Sequence, residues 1–329
     1  MDRRTFMAGA GALAVAPFTL ASGAFAANYE AAARYSAERR GVSLIVVRRG
    51  AAVFEDYPNG GGAERGWNLA SGTKSFTGIM AAAGVKDGLL TLDERASRTL
   101  SEWQGDERRE ITIRHLLSLT SGLQPGAIGR PPTYAEAVAT PLAWAPGSRF
   151  SYGPTSFQAF GELMRRKLGG DPLEWLQRRV LDSINVRFES WRRGSDGNPL
   201  MPQGCVMRAR QWAEFGQFVL AEARQGARGL LDRDALRECF RASEANPGYG
   251  LSWWLLRPGL IPPAGGMRVE IDGAAIARLG DVRMAAGAGD QRLYLMPERE
   301  LVVARQAHLL GMRFGPRWSD AEFLRLLLG

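Results

Sequence analysis

Ser71 and Lys74 stand three residues apart in the segment NLASGTKSF, residues 68–76. Lysine is scarce in this chain, where Lys74, Lys86 and Lys167 are the whole set. If SGTKSFTGIMAAAGV is helical, the two side chains sit one turn apart on the same face. That spacing lets an amine reach a hydroxyl. A serine hydroxyl is a weak nucleophile until an adjacent base takes its proton. Lysine can serve as that base only where burial or neighbouring charge lowers its pKa. The small and apolar residues around Lys74 suit that need. The chemistry on offer is attack on a carbonyl carbon. The bland alternative is a surface helix that carries Ser and Lys at this spacing, because the pattern alone is short.

Other chemistries find less support. His115 lies inside the helical stretch IRHLL and reads as structural, and His308 follows a β-like run with no partner evident in the sequence. There is no G-x-S-x-G, which disfavours a nucleophile-elbow hydrolase. Two isolated histidines and two distant cysteines give no metal-ligand spacing. Gly287–Gly289 forms a G-x-G without the strand-to-helix context that a dinucleotide needs. No metal and no cofactor are therefore expected. Cys205 and Cys239 form either a disulfide or two buried thiols, and their spacing leaves both open.

The 329 residues are 45% hydrophobic and 23% charged, the balance of a globular protein with a large core. The net charge of +8 is carried almost wholly by arginines scattered along the chain. Without a clustered basic face or a nucleic-acid fold pattern, that charge does not imply a nucleic-acid partner. Residues 1–26, MDRRTFMAGAGALAVAPFTLASGAFA, combine Arg3-Arg4-Thr5-Phe6, a weakly apolar Gly/Ala-rich run and a small-x-small site at Ala24-Phe25-Ala26. This resembles a twin-arginine export signal read by the export machinery, with Asp2 where Ser or Thr is common. An uncleaved membrane anchor is the alternative. The expected location is the bacterial periplasm or the medium. No later stretch is long and apolar enough to predict a transmembrane span.

The elements that must position Ser71 and Lys74 follow from periodicity. Residues 28–40 read as a helix, and 42–57 as two strands about an Arg49-Gly50 turn. Helical patterns dominate from 71 to about 240. They include SFQAFGELMRRKLGG, where Phe157, Phe160, Met164 and Leu168 line one face and a Gly pair stops the helix, and ARQWAEFGQFVLAEAR, with Trp212, Phe215 and Val219. Strand-like runs return at 249–256, 267–271, 291–297 and 300–307, and a helix capped by Ser319 closes the chain. The expected fold is α+β: an antiparallel sheet from both ends of the chain, about 42–57 and 249–307, with flanking helices and an inserted helical part.

Context downstream of Ser71 is more specific. Gly88, Leu90, Leu92 and Asp93, then Leu100 and Trp103, then ITIRHLLSLTSGL at 111–123 follow the serine–lysine segment. This succession resembles the serine β-lactamase-like superfamily: class C β-lactamases, D,D-peptidases and related esterases. The resemblance covers most of 27–329 and implies the β-lactamase/transpeptidase-like fold, with Ser71 as nucleophile and Lys74 as its base. It also implies a Tyr-x-Asn element, here Tyr152-Gly153-Pro154. Tyr152 takes the place of the family's proton shuttle, with a core tyrosine as the alternative. Pro154 replaces the asparagine that contacts lysine and substrate amide. The third family element, Lys-Thr-Gly or His-x-Gly, is absent. Ala285-Ala286-Gly287 is the best replacement, with Gly287 at the substrate and Ala288 donating an oxyanion N–H beside that of Ser71. Arg278-Leu279-Gly280 is the weaker candidate, and a Gly/Ala-rich loop with no role in the site is the alternative. Tyr249, Trp253 and Trp254 line either a cleft or the sheet core.

The two departures tilt the expected substrate toward an ester or small amide, by analogy with esterases and 6-aminohexanoate-dimer hydrolases. A penicillin-recognising enzyme is the alternative, with Arg283 or Arg292 swinging in to supply the missing charge. A non-catalytic binding protein on the same fold is the third reading.

Overall fold

The computed structural model describes residues 26–263, 269, 272–310 and 316–329. All of the proposed export signal except Ala26, and most of the strand expected at 267–271, therefore lie outside the described residues. The helices are α1 (Ala26–Glu38), α2 (Ser75–Lys86), α3 (Ile113–Leu117), α4 (Tyr134–Ala139), α5 (Thr155–Leu168), α6 (Pro172–Leu176), α7 (Ala209–Gln225), α8 (Arg233–Cys239), α9 (Gly273–Ala277) and α10 (Asp320–Leu328). The strands are β1 (Gly41–Arg48), β2 (Ala51–Asp56), β3 (Gly66–Asn68), β4 (Ser190–Trp191), β5 (Cys205–Arg208), β6 (Trp254–Leu256), β7 (Val282–Gly287), β8 (Gln291–Met296) and β9 (Leu301–Ala307).

Six strands form one antiparallel sheet in the order β2-β1-β9-β8-β7-β6. The hairpin expected at 42–57 closes through Arg49 and Gly50, with φ of 50° and 82°. Two such left-handed residues match the twist of the strands they join. β1 lies between β2 and β9, with Val46 opposite both Phe54 and Val303. It is buried on both faces, which is why its sequence runs apolar instead of alternating. β8 shows how the two faces are covered. Leu293 and Leu295 meet α7 at Gly216, while Tyr294 turns the other way and stacks on Phe323 of α10, their centroids 5.7 Å apart. Side chains alternate across a strand, so α7 covers one face and α10 the other.

The segment between β2 and β6 carries α2–α8, as the helical periodicity predicts. From Ser75 to Gly84 every residue of α2 is buried. A helix apolar all round belongs in a core. This part also contains a second sheet, β3-β5-β4, that periodicity does not predict. Its strands span only two to four residues, too few for a repeat.

The run expected to be a strand at 249–256 is mostly a turn. Gly250 N–H donates to Trp253 O at 2.9 Å, and Ser252 adopts a φ of 67°. The chain reverses there, so only Trp254–Leu256 joins the sheet, paired with β7.

Candidate active site

Ser71 sits where β3 gives way to a helix. Residues Ala70–Lys74 form a 3-10 turn that runs directly into α2. In a 3-10 helix residues i and i+3 eclipse. This places Lys74 directly over Ser71, closer than the α-helical stagger expected from the sequence. The Lys74 Nζ is 3.0 Å from Ser71 Oγ. Ala70 adopts a φ of 46°, a left-handed geometry that costs a residue with a Cβ. Asn68 Oδ1 steadies it by accepting from Ala70 N–H at 2.7 Å.

Three further elements close on this turn. β7 ends against it at Gly287. A Cβ there would lie 2.1 Å from Leu69 O and 3.0 Å from the Gly72 nitrogen, so only glycine lets the strand approach. Ala288 follows directly, at the turn between β7 and β8. Tyr152 arrives from the loop before α5. Its hydroxyl is hydrogen-bonded to the Ser71 side chain, and its ring stacks on Trp254 at 5.7 Å. The third element is the loop before β5, whose Pro202 carbonyl accepts from Lys74 Nζ at 3.0 Å.

Ser71, Lys74 and Tyr152 are all buried, at 8%, 5% and 9% exposure. Nζ lies over the rings of Tyr152 and Phe157, at 4.8 and 5.6 Å. Burial lowers the pKa of Lys74 to about 7. An amine held there is substantially neutral near neutral pH and can take a proton from the hydroxyl it touches. Burial pushes the Tyr152 hydroxyl well above the ordinary phenol value. The bond from Ser71 and the charge of Arg292 oppose that rise. Tyr152 therefore stays protonated and can donate as well as accept.

The other residues singled out from sequence separate clearly. Pro154 is buried at the start of α5, with φ −83° and ψ −24°. Its ring faces the loop at Gly126. Arg278-Leu279-Gly280 follows α9 and lies outside any strand, so it does not replace the missing triplet. Arg292 does not swing toward a substrate. It is fully buried, bonded to Asp320 Oδ1 at 2.7 Å, and donates to Gly287 O at 3.3 Å. Arg283 pairs with Asp281 at 2.8 Å and lies over Phe240.

His115 is structural, as expected, and forms a capping box with Thr112. His308 does have a partner, Asn59 O at 3.0 Å, and it meets the edge of Trp67. Tyr249 packs on Trp254 beside Phe150, and Trp253 is core between Phe215 and Phe240. Cys205 and Cys239 are separate buried thiols.

Among the described residues no group of three or more His, Cys, Asp or Glu could hold a metal ion, and no helix is long and apolar enough to cross a membrane. A cavity of about 400 Å³ beside Arg114 and Glu238 is lined by none of Ser71, Lys74 and Tyr152, and Arg114 there is neutralised by Asp93 and Glu238. Sequence reasoning missed the Pro202 carbonyl and the residue that holds its loop, Gln158. A backbone acceptor leaves no signature in side-chain types. Gln158 did leave one, a polar residue within the apolar run of α5 that proves fully buried.

Comparison with known proteins agrees with this fold. Residues 26–322 match the model of the Beta-lactamase family. A lovastatin esterase from Penicillium rubens is 32% identical over 150 residues, a stretch that spans 36% of this chain and 37% of that protein. Among solved structures, EstCE1, a hydrolase with promiscuous acyltransferase activity, superposes with a TM-score of 0.69 at 15% identity, covering 93% of this chain and 98% of that one. The octameric penicillin-binding protein homologue from Pyrococcus abyssi gives a TM-score of 0.66 at 17% identity, over 92% and 76% of the two chains. These likenesses establish a β-lactamase/transpeptidase-like α+β fold, and the match over 26–322 shows that the chain belongs to the Beta-lactamase family.

Proposed function

We propose that this protein is a serine hydrolase that cleaves a neutral ester or small amide through an acyl-enzyme on Ser71. The observation that carries this reading is the buried Lys74 amine, with its pKa lowered to about 7, standing 3.0 Å from Ser71 Oγ. Neutral Lys74 accepts the Ser71 proton as Oγ attacks the carbonyl carbon. The N–H groups of Ser71 and Ala288 stabilise the oxyanion. Tyr152, bonded to Ser71, relays the proton to the departing alkoxide or amine, and the C–O or C–N bond breaks. Water then attacks the acyl-enzyme by the same route in reverse, which releases the acid and restores the Ser71 hydroxyl.

The substrate class rests on what faces the site. Ala285 and Ala286, which precede Gly287 on β7, carry neither the cation nor the hydroxyl that would meet a carboxylate, and Pro154 offers no side-chain hydrogen bond to an amide. Names among the curated relatives lean the same way, being those of an esterase and of acyltransferases. These relatives support a second outcome, in which an alcohol replaces water as acyl acceptor. We also infer that residues 1–26 direct export through their arginine pair. Arg3→Lys with Arg4→Lys would then leave the protein in the cytoplasm, and unchanged export would point to another route.

The deciding experiment exposes wild type and Ser71→Ala to a panel of p-nitrophenyl esters, short peptides and β-lactams, with intact-mass detection of adducts. An acyl adduct on wild type alone supports the reading. Adducts on both proteins would place the acyl group on another residue, and adducts on neither would favour a binding protein on this fold. Adducts from β-lactams alone would favour a penicillin-recognising enzyme.

A further inference from the structure

Gln158 lies in the second turn of α5, on a helix whose neighbouring core positions are Phe157, Phe160 and Met164, and it is fully buried. A buried amide must find partners or destabilise the fold. Both ends of this one are engaged, and with two different loops. Its Oε1 accepts from Met201 N–H at 2.9 Å, and its Nε2 donates to Pro132 O at 2.8 Å. Met201 directly precedes Pro202, whose carbonyl accepts from Lys74.

The Pro202 ring locks φ, so few soft torsions separate the pinned Met201 amide from that carbonyl. On the far side, Cys205 N–H donates to Thr73 Oγ1 at 3.3 Å, beside Lys74 itself. The carbonyl is thus held from both directions.

We propose that Gln158 is a positioning residue for Lys74: it fixes the Met201–Pro202 segment so that the Pro202 carbonyl orients Nζ toward Ser71. The inference rests on the reading of Lys74 as the base. A merely structural glutamine would satisfy two loops and leave the amine indifferent to its loss. The two roles differ in what titration reads. A carbonyl accepts more strongly from an ammonium than from an amine, so it favours the charged form. Removing it lowers the pKa of Lys74 further while releasing Nζ from its aim. The groups facing Nζ are the Ser71 hydroxyl on its own turn, the rings of Tyr152 and Phe157 and the Pro202 carbonyl, while the Tyr152 hydroxyl bonds to Ser71. Arg292 on β8 acts on Tyr152.

The test is the reaction of the full chain with a fluorophosphonate, which needs no knowledge of the substrate. Gln158→Met should lower the maximal rate of phosphonylation by about tenfold or more, part of what a positioned base contributes. The half-saturating probe concentration should stay within about twofold, and the acid limb of the rate profile should move to lower pH. Gln158→Glu, protonated when buried, keeps an acceptor for Met201 and should recover most of the rate.

Three results overturn the proposal: an unchanged rate, a fall in the number of reactive sites with the acid limb unmoved, or no recovery by Gln158→Glu. Should Gln158→Met not fold, the same rate and acid-limb criteria apply to Gln158→Asn, which keeps a buried amide but shortens its reach by one methylene. Lys74→Arg in the same assay separates the two layers. If it reacts normally, the base reading falls and this inference falls with it. If it is inert while the Gln158 variants match wild type, only this inference falls.

Discussion

Arg292 donates to the carbonyl oxygen of Gly287, so this buried cation near the end of β7 holds the strand's backbone from behind instead of facing a substrate. Asp320 anchors its other side, joined there by Tyr294 and Trp318. The Gly287–Ala288 peptide is the unit whose N–H is proposed to meet the oxyanion, and its carbonyl is the atom Arg292 grips.

This arrangement bears on β-lactams. Penicillins carry a carboxylate, and neither Arg292 nor Arg283 is available to meet it, since each is engaged with an aspartate. A lost hydrogen bond to a charged group costs about 1.5–3 kcal/mol, or roughly 10- to 100-fold in transition-state binding. A short-chain p-nitrophenyl ester should therefore show a kcat/KM above that of benzylpenicillin by about that factor. A penicillin value equal to or above the ester value would sink the substrate argument.

The pKa of Lys74 sets a pH profile. Its amine is neutral above about 7 and protonated below, so kcat/KM for the ester should fall on the acid side of that value. Arginine keeps the charge but cannot give up its proton at useful pH. Lys74→Arg should lose activity as completely as Lys74→Ala, on the order of 100-fold or more. Retention of most activity by Lys74→Arg would reduce the lysine to an electrostatic partner.

The same shift has a consequence for stability, with a definite sign. In the unfolded chain the amine titrates near its ordinary value of 10.5, and in the folded chain at about 7. Between those values the unfolded state binds more protons, so stability rises with pH across that window. Below it both states are charged and the full burial penalty applies, at roughly 3–5 kcal/mol. Lys74→Met should therefore be more stable than wild type in mild acid, with the advantage shrinking as pH climbs toward 10. Thermal melts of the two proteins across pH check this, and a constant difference would mean that the amine is not desolvated.

Gly287 tests the contact between β7 and the serine turn. Gly287→Ala places a Cβ against Leu69 O, where the gap is 2.1 Å. Strand or turn must yield, at about 1–3 kcal/mol of stability, and the reactivity of Ser71 should fall by more than that destabilisation implies. Gly273→Ala is the control, because its Cβ would meet nothing closer than 3.7 Å. Equal fluorophosphonate labelling of both variants would contradict the contact.

Much of this arrangement was legible in the sequence, for identifiable reasons. The Ser71–Lys74 spacing is local and depends only on a helical backbone. The hairpin at Arg49-Gly50 and the Ser319-capped helix rest on local rules as well, with Ser319 accepting from Glu322 N–H as a cap should. What stayed hidden is non-local. Pro202 reaches Lys74 across 128 residues, and it does so through a carbonyl that every residue possesses. Arg292 looked free to swing toward a substrate because its partner Asp320 lies 28 residues on, in a helix whose packing the sequence alone does not specify. The aromatic run at 249–256 has strand composition, but Ser252 at a positive φ turns it back on itself.

The topology carries a timing. β1 pairs with β9, and Ser43 donates to Gln306 across 263 residues of sequence. The serine turn likewise finds its strand only at Gly287. Contacts this distant in the chain close late, because loop entropy must be overcome before they reward the fold. A nascent chain that has just released α7 from the ribosome already holds Ser71, Lys74 and Tyr152, yet of the main sheet it has only β1 and β2, and not the strand that abuts the serine turn. The half-made protein is thus a helical fragment exposing the apolar faces of α2 and α7, in need of shelter from aggregation, and its serine meets its full surroundings only in the final stretch of synthesis.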